Sequence, residues 1–146
     1  MKKGRFLITG TVGMWLVVLL LFPAFAQRGG RIHYSDLFNP ATLGTISGKV
    51  VSVEKTLSGN SRDYCVHATV QIGKGLVKAV FAPLSFMQKE NLTLAPGDRL
   101  TLQGSMITVM GKPYILVTEV TGDRTMKLRE PNGRPAWAVG DDWHAR

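Results

Sequence analysis

Thr45-Ile46-Ser47-Gly48-Lys49-Val50-Val51-Ser52-Val53 carries two overlapping alternations that cannot share one face. Ile46, Gly48 and Val50 have one parity, and Val51 and Val53 have the other. One extra residue in a strand swaps which side chains point inward, so this switch near Gly48 to Val51 predicts a long first strand, residues 45–55, bent by a bulge. Downstream, Ser58-Gly59-Asn60-Ser61 is a turn-forming cluster. Tyr64, Val66, Ala68, Val70 and Ile72 then alternate with Cys65, His67, Thr69 and Gln71. This is the period of a half-buried strand with the first set inward, and it assigns Tyr64 to the core.

The same reading continues toward the C-terminus. Gly73-Lys74-Gly75 supplies a tight hairpin, and residues 76–82 return as a third strand that places Phe81 in the core. Residues 83–91 hold Leu84, Phe86 and Met87 among polar residues, which suits one or two helical turns, with Pro83 fitted to the first turn. Leu94-Ala95-Pro96-Gly97-Asp98 turns into a fourth strand over 99–106, where Gly104 permits a sharp bend. Met110-Gly111-Lys112-Pro113 is the next turn, 114–120 a fifth strand and 125–129 a short sixth. Asn132-Gly133 makes a last turn, after which Trp137 can lie back on the barrel. The fold expected is all-β: a five- to six-stranded OB-like barrel, with one short helix between strands 3 and 4. An immunoglobulin-like sandwich would need about seven strands and has no use for that helix.

Upstream, the pattern is of a different kind. Lys2, Lys3 and Arg5 precede the apolar run Thr11 to Phe22, which ends at Pro23-Ala24-Phe25-Ala26 before Gln27. A basic start, an apolar stretch and small residues at an A-x-A site are the pattern of an export signal. Residues 6–26 approach the roughly 20 apolar residues of a membrane span, so an uncleaved anchor is the rival expectation. Pro23 favours cleavage, because it breaks the helix and leaves extended chain for the peptidase. The organisation expected is therefore 1–26 signal peptide or anchor, 27–44 a linker that partly docks, 45–137 the barrel and 138–146 a flexible tail. The corresponding location is the periplasm, or the inner membrane if the signal stays attached.

Composition restricts the chemistry. The chain of 146 residues has a formal charge of +8, which falls to +5 when the three basic residues of the signal are removed. That balance suits solubility, and no clustered run of Lys or Arg argues for a polyanion partner. Cys65 is the only cysteine, which rules out an intramolecular disulfide, C-x-x-C-H haem attachment and cysteine-rich zinc sites. Stability must come from packing. No G-x-S-x-G, H-E-x-x-H or phosphate-loop pattern occurs, which favours a protein that is not an enzyme.

Cys65 and His67 are the pair that could hold a soft metal, since residues two apart on a strand share a face. Two ligands are few, and a third would come from His33, His144 or a carboxylate such as Asp63. The competing expectation is an exposed His67 beside a Cys65 covered by linker or tail. Asp141-Asp142-Trp143-His144 gathers two carboxylates and an imidazole, but on a chain end that reads as solvated tail. The outer side chains of the second strand, Cys65, His67, Thr69 and Gln71, include no aromatic for base stacking, and an export address removes most nucleic acid from reach. Nucleic acid is thus not the partner expected. Thr69, Gln71, Trp137 and Trp143 are the surface on which a protein partner is expected.

Several segments together resemble a known family. They are the opening 45–53 stretch, Pro96-Gly97-Asp98-Arg99-Leu100-Thr101-Leu102-Gln103-Gly104-Ser105, Gly111-Lys112-Pro113, Leu128-Arg129-Glu130 and Gly133-Arg134-Pro135-Ala136-Trp137. They are similar to the domain shared by the magnetosome-associated proteins MamS and MamX, over about residues 45–137. The resemblance implies an accessory protein of the envelope or magnetosome membrane that supports maturation of iron-oxide crystals. The C-x-x-C-H motifs of the MamX-type protein are absent, because Cys65 stands alone in Tyr64-Cys65-Val66-His67. No haem, and no other cofactor, is implied. The expected function is a non-enzymatic exported binding or assembly module acting on an envelope protein or a mineral surface. The alternatives are a periplasmic metal or redox accessory using Cys65 and His67, or a polyanion-binding barrel.

Overall fold

The structure is a computed structural model that describes residues 32–57 and 63–138. The expected export signal, the 58–61 turn and the 139–146 tail with Trp143 lie outside the described residues. Six strands occur in the order expected: β1 Leu43–Leu57, β2 Tyr64–Ile72, β3 Gly75–Pro83, β4 Arg99–Val109, β5 Lys112–Thr121 and β6 Thr125–Lys127. A six-residue helix, α1 Leu84–Lys89, follows β3, with Pro83 as its N-cap. The sheet order is β3-β2-β1-β4-β5-β6, and a parallel pairing of β3 with β5 closes the first five strands into a barrel. A closed five-stranded barrel with a helix between the third and fourth strands is the OB-type architecture.

The first strand behaves as its sequence demands. β1 pairs with β4 through its first half, Leu43 to Lys49, and with β2 through its second half, Lys49 to Leu57. A register shift between Val50 and Ser52 leaves Val51 as the extra residue at the predicted switch. Gly48 lies at this bend because a Cβ there would stand 2.4 Å from the Gln71 carbonyl oxygen. β4 bends in turn at Gly104, where an added Cβ would meet the Leu116 carbonyl oxygen at 2.2 Å. The β4–β5 register shifts at that point, between Gln103 and Gly104, and the Thr118 hydroxyl donates to the Gln103 carbonyl at 3.0 Å.

Inward side chains from all five barrel strands form one core. Val50, Val66, Ala68, Val70, Ala79, Phe81, Leu100, Leu102, Ile115, Val117 and Val120 are buried together, and Met87 of α1 plugs the same cluster. Removing each Val, Leu, Ile, Phe or Met among them from water stabilises the fold by about 1.5–3 kcal/mol, before the entropy of ordering the chain is subtracted. Between Cys65↔Pro83 and His67↔Val80, β3 uses one residue more than β2. That bulge turns both Phe81 and Ala82 to the interior, where each is fully buried.

Some expectations are corrected. Tyr64 is not a core residue: it is 44 % exposed. It pairs with Leu57 at the loop end of the β1–β2 hairpin, beyond the reach of the core. The turn after β4 is Met110-Gly111 alone, both with positive φ, so Lys112 and Pro113 already belong to β5. Two-residue hairpins favour this conformation because its twist matches that of the strands. The 27–44 linker is partly structured, with 3-10 turns at Tyr34–Leu37 and Pro40–Thr42 before β1 begins at Leu43. It docks through Ser105, whose hydroxyl accepts from the Asn39 amide at 3.0 Å and lies 2.9 Å from the Thr42 hydroxyl.

Candidate functional site

Interior and exterior alternate cleanly on β2. Val66, Ala68 and Val70 belong to the core, so Cys65, His67, Thr69 and Gln71 point outward. Register extends these four into rows across the outer surface. Lys49, Gln71 and Leu76 form one row, and Ser52, Thr69 and Lys78 the next. Glu54 and His67 form a third, and Thr56, Cys65 and Pro83 the last. An ion pair between Lys78 and Glu54, at 2.7 Å, ties the second row to the third.

The face is divided. In its lower rows Glu54 and Thr56 of β1 stay exposed, but the β2 members are covered, so His67 is 3 % exposed rather than solvated beside a covered cysteine. The ring of Tyr34, from the first 3-10 turn, meets His67 edge-on with centroids 5.3 Å apart, and stacks on Tyr114 of β5 at 6.0 Å. Nε2 of His67 is buried without a hydrogen-bond partner. Burial, with some help from Lys78, pushes the imidazole down to about 4, so it is neutral at pH 7. Cys65 is half-buried, and burial pushes its thiol up to about 11 against the opposing pull of Arg129.

Arg129 is the buried cation whose charge reaches both Cys65 and His67. After β6 the chain bends back, with the Leu128 and Arg129 amides both donating to the Thr118 carbonyl at 2.7 and 3.0 Å. This carries the Arg129 side chain over the β3–β5 seam, where the parallel pairing has ended at Val80↔Leu116. Its Nη1 donates to the Val117 carbonyl at 2.6 Å and reaches the Val80 carbonyl at 3.5 Å. The guanidinium lies 4.9 Å from the centroid of Trp137, which also packs on Phe86 of α1 at 5.4 Å. Burial lowers Arg129 to about 10, with a small opposing effect of Cys65, and it remains charged at neutral pH.

The predicted site residues therefore separate. Cys65 and His67 leave β2 on the same side, with Tyr34 packed on the His67 ring. Among the described residues no group of three His, Cys, Asp or Glu forms around them. The Asp63 carboxylate instead accepts from the Tyr64 amide at 2.8 Å and from the Ser85 hydroxyl. Thr69 and Gln71 stay on the open half of the face, whereas Trp137 is half-buried against Arg129. Three residues that cover this part of the face were not singled out by sequence reasoning: Arg129, Tyr34 and Tyr114. Arg129 stood in the L-R-x-x-x-G-x-P-x-W stretch, the one signal that could have found it.

Strand order, parallel closure and helix position define the class: a small OB-type barrel whose outer β2 face is half covered by its own flanking segments. The MamS/MamX magnetosome protein family matches residues 42–126, more than half of the chain, and the protein belongs to that family. The match lies on the barrel strands and stops before the 128–137 stretch that supplies Arg129 and Trp137. No curated protein matches the chain significantly. Among the described residues no helix is long and apolar enough to cross a membrane.

Proposed function

We propose that this protein is an exported, non-enzymatic binding module serving magnetosome assembly and crystal maturation. On this reading it holds an envelope or magnetosome-membrane protein on the open half of its β2 face. Family membership supplies the magnetosome association. The basic, apolar and A-x-A pattern of residues 1–26 supports export, to the periplasm or to a membrane tether.

The observation that carries the binding role is the division of the outer face. His67 is buried under Tyr34 and Cys65 is half-buried, while Lys49 and Gln71 are exposed next to Leu76, which is 55 % exposed. An apolar side chain rimmed by polar ones is the local chemistry of a protein contact. Against an enzymatic role stands the electrostatics of the Cys–His pair. A nucleophilic dyad needs a lowered thiol pKa and an imidazole near neutrality, and here burial drives both the opposite way.

A photo-activated cross-linking residue at Gln71 tests the reading in the cell. A discrete protein adduct at Gln71, with none from the same residue at Thr108 on β4, is the expected result. Absence of an adduct at Gln71 and at Leu76 would contradict a protein partner and leave the mineral surface as the contact.

A further inference from the structure

The compartment behind Tyr34 contains two metal-ligand atoms that the proposed partner contact does not use. We propose that Cys65 Sγ and His67 Nε2 form a two-ligand site for a soft monovalent cation, Cu(I) or its analogue Ag(I). Two observations carry this independently of the cysteine itself. His67 is almost fully buried, and its Nε2 has no hydrogen-bond partner. Buried polar atoms are normally satisfied, and an exception calls for a ligand that the chain does not itself supply. The second observation is regular geometry. The β1–β2 register runs without a break through Thr56↔Cys65, Lys55↔Val66 and Glu54↔His67, so thiol and imidazole leave β2 on the same side.

The identity of the ion follows from ligand number, softness and charge. No third His, Cys, Asp or Glu joins the pair among the described residues. Zinc takes four ligands in structural sites, and hard cations take six or more oxygens. A d¹⁰ monovalent ion is stable between two ligands, and thiolate selects for Cu(I). Charge points the same way. On binding, the Cys65 thiol releases its proton to solvent, no electron is transferred, and thiolate, neutral imidazole and Cu(I) sum to zero. A neutral complex costs least beside the buried Arg129 cation, whereas a divalent ion would leave a net positive charge next to it. The Tyr34 and Tyr114 rings wall the site from water, and Cys65, only half-buried, leaves the approach.

Anaerobic titration of the full exported chain with Cu(I), in competition with a coloured Cu(I) chelator, tests the site. The expected result is one equivalent withdrawn from the chelator, abolished in Cys65→Ser and weakened at least about tenfold in His67→Gln, since even outer-shell changes cost that much. A readout that needs no variant is the His67 ring resonance, expected to move in step with one equivalent of Ag(I). Uptake unchanged in Cys65→Ser, an unmoved His67 resonance, no uptake at all, or tighter binding of Zn(II) than of Cu(I) would each overturn the proposal.

Discussion

The guanidinium of Arg129 lies 4.9 Å from the ring centroid of Trp137 while its Nη1 holds the Val117 carbonyl at 2.6 Å. One side chain thereby closes the β3–β5 seam and fixes the C-terminal segment that follows the barrel. Arg129→Ala should destabilise the fold by about 2–3 kcal/mol, because a charge-assisted hydrogen bond is lost and the Val117 carbonyl is left unpaired. A double-mutant cycle with Trp137→Ala should return a coupling of about 1 kcal/mol for the stacked pair. Urea unfolding measures both, and additive single effects would show that the stack contributes nothing.

Gly104→Ala should be among the most damaging single-methyl changes in the protein. The new Cβ meets the Leu116 carbonyl at 2.2 Å, and that oxygen belongs to the backbone of the neighbouring strand. Moving β5 away from β4 should cost about 2–3 kcal/mol, seen as a lower unfolding midpoint. The exposed Gly111→Ala offers no such contact, but its φ of 77° makes it a strained control rather than a neutral one.

Stability should depend on His67 in mildly acidic solution. Its folded pKa of about 4 lies below the ordinary 6.5, so the unfolded chain binds the proton more readily. Its contribution is complete above pH 6.5 and is lost as the pH falls from there toward 4. Between pH 7 and pH 5 the loss should be about 2 kcal/mol. Glu54 and Asp63, both held below the usual carboxylate range, by Lys78 and by Ser85 respectively, act in a lower window. His67→Phe should flatten the curve between pH 7 and 5, and an unchanged slope would assign the acid sensitivity elsewhere.

Ser105→Ala should loosen the 33–42 segment without unfolding the barrel. The serine hydroxyl is the shared partner of Asn39 and Thr42, and its loss should cost about 1 kcal/mol locally. Hydrogen exchange at Thr42, whose amide donates to Asn39, should accelerate, while exchange at Ala68 in the core strand stays slow.

The barrel was legible because its elements announce themselves locally. The parity switch at Val50-Val51, the alternation from Val66 to Ile72, and the glycines at 48 and 104 each have a short-range cause that the structure reproduces. The covered half of the outer face was not legible. Tyr34 sits in an aperiodic segment, and its meeting with His67 and Tyr114 depends on how three elements distant in sequence converge. Arg129 stood at the end of the expected sixth strand, and nothing local says that a seam carbonyl awaits it. Tyr64 failed for the reverse reason: the alternation was right, but the strand had already run past the end of the core.

Crystal size and number in the encoding bacterium test the central claim most directly. Deletion of the protein should alter the magnetosome crystals seen by electron microscopy. The natural chain should restore them, and a chain carrying Gln71→Glu and Leu76→Glu, folded and exported to the same level, should not. Full restoration by the double variant would contradict a role for the open β2 face, and unaltered crystals on deletion would contradict the function itself.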